Sequence, residues 1–274
     1  MNALKKTVAA VAVAATGALA LPAHAAIDFD DLPLGSKFTD SAAGGELFLS
    51  VVARGDAPAE NRSLVVDLGL LASDFVALGT GSLSITPVAE LSSFLAAQSG
   101  KAISFNVTAV HNPGGFDPVT FDTLNTGFLS TSREDAASTA AKAPQSVSAA
   151  AIKANPTLQS FVQGVNLATD GSPSGNTALN LAATFAPGEF GFHDNNFGGD
   201  STFGFNTEGQ IGGMVDFYFL KLSNFNPFEL VELGTFSLLG DGTLEFQPVP
   251  VPAAAWLLGS ALVAGAGAVR RRKV

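Results

Sequence analysis

The sequence predicts a mainly β protein, built as a single antiparallel β-sandwich or jelly-roll-like domain with a helical insertion. Through most of the chain, apolar runs of strand length alternate with turns rich in Gly, Pro, Asp and Ser. No unit of about 20–50 residues recurs, which argues against a solenoid or a propeller. The domain is expected to span residues 26–248, because the segments on either side of it differ sharply in composition.

Strands are expected in both halves of this domain. The run at 102–107 alternates apolar and polar side chains, so one face should pack on a core and the other should face water. The last two runs form a predicted hairpin, since Asp241-Gly242 supplies a residue that tolerates positive φ in a tight turn. A short helical turn is expected at 92–97. The predicted strands are 46–52, 63–66, 102–107, 179–184, 203–205, 213–222, 234–239 and 243–247.

The helical insertion is placed at about 131–164. The composition there shifts to Ala with few β-branched residues, and Ser132 stands three residues before Asp135, a weak form of the capping box. Pro144 and Pro156 interrupt the stretch, so one or two helices are expected. The alternative is a flexible Ala/Ser-rich insertion, because the stretch is weakly amphipathic.

The N-terminal segment, residues 1–25, has the pattern of a secretory signal peptide. Lys5 and Lys6 precede an apolar run at 8–21. Ala23-His24-Ala25 then gives the small-x-small pattern that signal peptidase accepts before Ala26. The alternative is a membrane-spanning anchor, for which the apolar run is short of the ~20 residues required.

The C-terminal segment, residues 249–274, contains a predicted transmembrane helix at 253–269. This uncharged run follows Pro252 and is followed by four basic residues, three Arg and Lys273. At about 1.5 Å per residue it measures about 25 Å, at the short limit for crossing a bilayer core. Basic residues stay on the cytoplasmic side, so the domain would lie outside. The alternative is a buried core helix.

The order of parts in this segment resembles the PEP-CTERM sorting signal of Gram-negative bacteria. A proline motif, an apolar helix and an arginine cluster follow one another as in that family, although Pro250-Val251-Pro252 replaces the namesake Pro-Glu-Pro. The resemblance implies processing by an exosortase, a membrane-embedded cysteine protease, in bacteria that make extracellular polysaccharide. It also implies an inner-membrane-anchored intermediate that is later released to the cell surface or matrix. The residues that carry it are Val249, Pro250, Val251, Pro252, Trp256, Arg270, Arg271 and Arg272.

Charge and cysteine usage restrict the partners of the domain. Residues 26–248 hold 8 of the 14 basic residues and all 24 acidic ones, a formal balance of −16. That argues against nucleic acid, which needs a basic face, and is compatible with divalent cations. The chain has no cysteine, so disulfides, thiolate zinc sites and cysteine nucleophiles are excluded.

One loop has the residue types of a metal site. Residues 193–200 combine hard oxygen ligands with glycine, and Asp194, Asn196 and Asp200 are the predicted ligands of a Ca²⁺ ion. The alternative is an Asn/Asp turn satisfied by its own backbone. Nucleophile-elbow, phosphate-loop and dinucleotide-binding motifs are absent from the sequence.

These observations favour a non-enzymatic, exported surface or extracellular-matrix protein. Its processing partners would be signal peptidase and an exosortase. The first alternative is a Ca²⁺-assisted module that binds extracellular polysaccharide. The domain has many Phe but a single Tyr and no Trp, which weighs against a sugar-stacking surface. The more distant alternative is a secreted hydrolase.

Overall fold

The computed structural model describes residues 45–77, 81–111, 127–142, 161, 165, 182–189, 191–195, 197, 204–221 and 229–249. Strands dominate this part of the chain, as the alternating apolar runs predict. The strands are β1 Glu46–Arg54, β2 Arg62–Leu71, β3 Leu83–Ile85, β4 Ala102–His111, β5 Gly127–Ser132, β6 Ala182–Phe185, β7 Gly209–Gln210, β8 Met214–Lys221, β9 Glu229–Leu238 and β10 Leu244–Pro248.

Within the described ranges, three α-helices with defined bounds and two 3-10 turns connect these strands, and Phe161 and Val165 are also helical. Helix α1 is Ala72–Val76, α2 is Ala89–Ala97 and α3 is Ala136–Lys142, with 3-10 turns at Pro58–Glu60 and His193–Asn195. The predicted helical turn at 92–97 is confirmed and begins three residues earlier than expected. None of the helices in the described residues is long and apolar enough to cross a membrane.

All the described strands belong to one antiparallel sheet. Its order is β3-β10-β9-β8-β5-β4-β1-β2-β6, and β7 pairs with β4 beside β5. The prediction of a mainly β, antiparallel domain is therefore confirmed. The prediction of two packed sheets is not, because the hydrogen-bonded ladder runs through all the described strands without a break.

Helix α1 shows that this sheet is curled. The helix follows β2 directly, and the ring of its Phe75 lies 5.8 Å from Phe217 on β8 and 5.0 Å from Phe246 on β10. Five strands separate β2 from β10 in the sheet. In a flat sheet, strands spaced about 4.8 Å apart would place them nearly 30 Å from each other. The sheet therefore wraps around the helix and brings its two ends to one core.

The concave face of the sheet, which we call the apolar face, is hydrophobic throughout. Alternate residues of β1, β2 and β4 point to it, as the period of two in a strand requires. The odd-numbered residues of β4 from Ile103 to Ala109 take part, as predicted for that strand. Helix α2 adds Leu91, Phe94 and Leu95. Phe217 and Phe236 are fully buried at the centre, with ring centroids 4.9 Å apart.

The opposite face, which we call the polar face, is buried as well. The prediction that β4 turns Ser104, Asn106 and Thr108 toward water is wrong, since each is at most 2% exposed. A second cluster covers this side, in which distant aromatic residues pack against Phe48 and Val65 of the sheet. The covering residues include Phe161, Val165, Phe192, Phe197 and Phe205.

The predicted helical insertion is confirmed in part. Thr131 and Ser132, its first expected residues, end strand β5, and the helix itself is α3. Asp135 rather than Ser132 caps it, because Oδ1 of Asp135 accepts a 2.8 Å hydrogen bond from the amide of Ser138. Ser132 instead shares a 2.8 Å hydrogen bond with the hydroxyl of Thr139. Residues 143–160 lie outside the described part of the chain.

The β9–β10 hairpin forms at Asp241-Gly242 as the sequence predicts. Gly242 has a φ of 92°, and Oδ1 of Asp241 accepts a 2.8 Å hydrogen bond from the amide of Thr243. In the predicted strand at 203–205, the two described residues, Gly204 and Phe205, form a bend and not a strand. Strands β3, β5 and β7 were not predicted.

Both predicted targeting segments lie outside the described residues, apart from Val249. They comprise the cleavage residues Ala23, Ala25 and Ala26, the proposed helix at 253–269, and the sorting residues Pro250, Val251, Pro252, Trp256, Arg270, Arg271 and Arg272.

Candidate functional site

The polar face carries a cluster of ionisable side chains at the end of β1. His193 lies in the 3-10 turn that follows β6 and is completely buried. Its Nδ1 shares a 2.8 Å hydrogen bond with Oγ of Ser50 on β1. Its backbone amide donates to Oγ of Ser63 on β2, at 3.1 Å. Two neighbouring strands therefore fix both the ring and the backbone of His193.

Arg54, the last residue of β1, bridges two carboxylates from distant parts of the chain. Its guanidinium donates to Glu208 through Nη1 at 2.8 Å and through Nη2 at 2.6 Å. It also donates to Asp194 through Nη2, and through Nε at 3.3 Å. Such forked contacts match the planar geometry of a guanidinium. Arg54 thereby ties the 3-10 turn and the segment before β7 to the sheet.

Strand β7 holds Glu208 in place. Gly209 and Gln210 pair with Phe105 and Ser104 of β4, and Glu208 immediately precedes them. Gln210 also donates to Oγ of Ser104, at 2.9 Å. The short strand therefore delivers the Glu208 carboxylate to Arg54.

His193 and Glu208 meet at the centre of the cluster. Nε2 of His193 lies 3.4 Å from Oε1 of Glu208, and it has no hydrogen-bond partner within the described part of the chain. One ligand atom from each of His193, Asp194 and Glu208 can be chosen so that all lie within 4.8 Å of one another. These three side chains could hold a metal ion.

The charges of the cluster shift the pKa values of its members. Burial raises the pKa of Glu208, but the contacts with His193 and Arg54 outweigh burial and bring it down to about 2. Burial lowers the pKa of Arg54, but the hydrogen bonds that it donates to Glu208 and Asp194 hold it above its ordinary value. Glu208 is therefore an anion and Arg54 a cation at neutral pH.

The predicted Ca²⁺ ligands are partly placed by the structure. Asp194 lies in the cluster and is paired with Arg54. Asn196 and Asp200 lie outside the described residues, so the Ca²⁺ site remains a prediction. Of the residues in the cluster, Asp194 was named in the sequence prediction, whereas Arg54 and Glu208 were not. They lie 140 and 14 residues from Asp194, and no local pattern links them.

A second pair of acidic groups lies on the polar face, at a bulge between β1 and β2. The register shifts there, so that Leu47 pairs with Leu70 but Phe48 pairs with Asp67. Gly69 in the bulge has a φ of 59°, and its amide donates to Oδ1 of Asp67 at 2.8 Å. Burial, and then the charge of Glu46, raise the pKa of Asp67 to about 7.

His111 is separate from these groups. It is buried at the end of β4 and lies edge-on to the ring of Phe219, with centroids 5.8 Å apart. Burial lowers its pKa to about 4, so it is neutral at physiological pH. This apolar setting gives it a packing role.

Comparison of the chain with protein-family models, with curated proteins and with solved structures finds no match.

Proposed function

We propose that this chain is a non-enzymatic, exported surface or extracellular-matrix protein whose C-terminal segment is a sorting signal read by an exosortase. The observation that carries the proposal is the order of parts after the domain: a proline motif, an uncharged run at 253–269 and a cluster of three arginines and a lysine. The N-terminal segment, with Lys5, Lys6 and Ala23-His24-Ala25, supports export.

The end of the sheet is consistent with this arrangement. Strand β10 ends at Pro248 and is paired on both sides, with β9 and with β3. Val249 follows, with its amide bonded to the carbonyl of Leu233 at 3.2 Å and 38% of its surface exposed. In the sequence, the proline motif thus follows directly on a strand that is paired on two sides. A protease could act on it without opening the sheet.

The arrangement of the charge cluster also supports a structural role. Arg54 pairs with two carboxylates and joins three separate segments of the chain. All the phenylalanines in the described residues are buried, so in this part of the chain they build cores. Surface charge would then govern contacts with other components of the envelope, because the domain has a formal balance of −16.

The proposal is tested by replacing Arg270, Arg271, Arg272 and Lys273 with Ser in the native host. Cations cannot readily cross the bilayer, so they should hold the helix at 253–269 in one orientation. We expect the variant to lose correct processing and surface display while its domain stays resistant to trypsin. The matched control replaces Lys101 and Arg133, two basic residues of the domain, with Ser. Normal processing and display of the four-residue variant would contradict the proposal.

The polysaccharide-binding alternative is distinguished by a separate experiment. Purified chain is mixed with exopolysaccharide from the same host, with and without Ca²⁺, and sedimented with the polymer. Binding that requires Ca²⁺ would favour the alternative. Binding that is absent in both conditions fits the structural role.

A further inference from the structure

We propose that His193, Asp194 and Glu208 form a binding site for a divalent transition-metal ion such as Zn²⁺. This site differs from the predicted Ca²⁺ site in two of its three residues and in its ion. It is also independent of the proposed sorting, because its residues all lie within the sheet and its covering turns.

The distance between His193 and Glu208 fits two ligands of one ion. Zinc binds imidazole nitrogen and carboxylate oxygen at about 2.0–2.2 Å, with ligands arranged as a tetrahedron. Two such ligands are then about 3.3–3.5 Å apart. Nε2 of His193 and Oε1 of Glu208 are separated by 3.4 Å. The third ligand atom, from Asp194, lies within 4.8 Å of the other two, within reach of the same ion after a small rotation of the side chain.

The buried Nε2 of His193 is the observation that points to a ligand. The side chain is completely buried, and this atom has no hydrogen-bond partner among the described residues. When Nδ1 donates its proton to Oγ of Ser50, Nε2 presents a lone pair to the Glu208 carboxylate. A metal ion bound between these two atoms would be coordinated by both of them. A metal-bound histidine has this arrangement, with its other nitrogen held by a second group.

Arg54 is a positioning residue in this arrangement. It donates to both carboxylates and fixes their orientation, but each carboxylate oxygen has a second lone pair that stays available. The cluster has one positive and two negative formal charges when His193 is neutral, so a net negative charge remains to attract a cation. Asp194 has 25% of its side chain exposed, which gives an ion a path of entry.

The ligand set decides the class of metal. Calcium prefers six to eight oxygen ligands, whereas imidazole nitrogen combined with carboxylates suits Zn²⁺, Ni²⁺ or Co²⁺. We therefore expect selection of these ions over Ca²⁺ and Mg²⁺.

The test is calorimetric titration of the purified full-length chain with Zn²⁺ after treatment with EDTA, repeated with Co²⁺ while the visible absorption is recorded. One ion per chain is expected, with the visible absorption of tetrahedral Co²⁺. His193→Gln should abolish binding, and Asp194→Asn and Glu208→Gln should each weaken it at least tenfold. The matched control is Asp56→Asn, the same chemical change at an exposed residue two positions beyond Arg54, which should bind as wild type does.

Asp194→Asn keeps the test decisive if the buried substitutions disturb folding, because Asp194 is partly exposed and the change preserves its shape. Circular dichroism checks that each variant is folded. A wild-type chain that binds neither Zn²⁺ nor Co²⁺ would overturn the proposal. So would a folded Asp194→Asn variant with wild-type affinity. Binding that responds to Ca²⁺ and is lost in Asp200→Asn would assign the site to the predicted Asp194, Asn196 and Asp200 set instead.

Discussion

The two faces of the sheet are both buried, but they are built from different residues. The apolar face packs Leu, Val, Ile and Phe around helices α1 and α2, and its strands supply most of its own core. The polar face presents Ser50, Ser63, Ser104, Asn106 and Thr108, and depends on residues far along the chain to cover it. The first face stabilises the domain by hydrophobic burial. The second combines a hydrophobic cluster with hydrogen bonds and ion pairs. These polar contacts contribute little net stability but select one arrangement of the covering segments.

The largest effect should come from the centre of the apolar face. Phe217 is fully buried and its ring contacts those of Phe75, Phe236 and Phe246. Phe217→Ala should lower the free energy of unfolding by about 3–5 kcal/mol, because it removes buried surface and leaves a cavity. Met214→Ala is the matched control on the same strand, since Met214 is 73% exposed and should change stability by less than about 0.5 kcal/mol. Urea denaturation measures the free energy of unfolding of both variants. An equal loss in Phe217→Ala and Met214→Ala would show that this region is not a packed core.

On the polar face, the next largest effect should depend on pH. The pKa of Asp67 is raised to about 7 in the folded chain, above the ordinary value of 3.8. Between these two values the folded state keeps a proton that the unfolded state releases, so stability should fall as the pH rises through this window. The free energy of unfolding should fall by at most about 1.4 kcal/mol per pH unit.

Asp67→Asn should therefore flatten this slope and make the chain more stable than wild type at pH 8. The free energy of unfolding of the variant at pH 8 should be about 2 kcal/mol above that of the wild type. This is less than the full pH slope would give, because the buried Asn amide also needs hydrogen-bond partners. Urea denaturation at pH 4, 6 and 8 measures it, with Asp56→Asn as the exposed control. A variant that keeps the wild-type slope between pH 4 and 7 would assign the pH dependence to other groups.

An effect of similar size is expected from Arg54, which joins the polar face to its cover. Arg54→Leu leaves Asp194 and Glu208 facing each other without a cation and should cost about 2 kcal/mol, between the values for exposed and buried ion pairs. Arg133→Leu, at an exposed arginine, should cost less than about 0.5 kcal/mol. Combining Arg54→Leu with Asp194→Asn and Glu208→Gln should recover part of the loss, because the repelling charges are gone. A triple variant less stable than Arg54→Leu would contradict this explanation.

The comparison also explains which features could be predicted from the sequence. The alternation in β4 correctly assigned Ile103, Phe105 and Val107 to the core, because a strand has a fixed period of two. The same pattern placed Asn106 in water, and that was wrong. Polar residues on a strand are exposed unless something covers them, and the cover here includes Phe161 and Phe197, more than 50 residues away.

The Ca²⁺ prediction named one residue of the candidate cluster, Asp194, and missed the members that come from distant parts of the chain. The loop at 193–200 could be singled out because its oxygen ligands are close together in the sequence, and Asp194 of this loop is in the cluster. Arg54 lies at the end of an apolar run and Glu208 lies before a two-residue strand, and neither position has a distinctive local pattern. Arg54 and Glu208 come into contact because β7 pairs with β4, and no local sequence pattern predicts that pairing.

Export with processing at both ends is tested most directly by mass spectrometry of the protein recovered from the surface and medium of its native host. The expected form begins at Ala26 and lacks Arg270, Arg271, Arg272 and Lys273, with a new C-terminus near the proline motif at 249–252. Recovery of the intact chain, with Met1 and the four basic residues present, or its confinement to the cytoplasm, would contradict the proposed function.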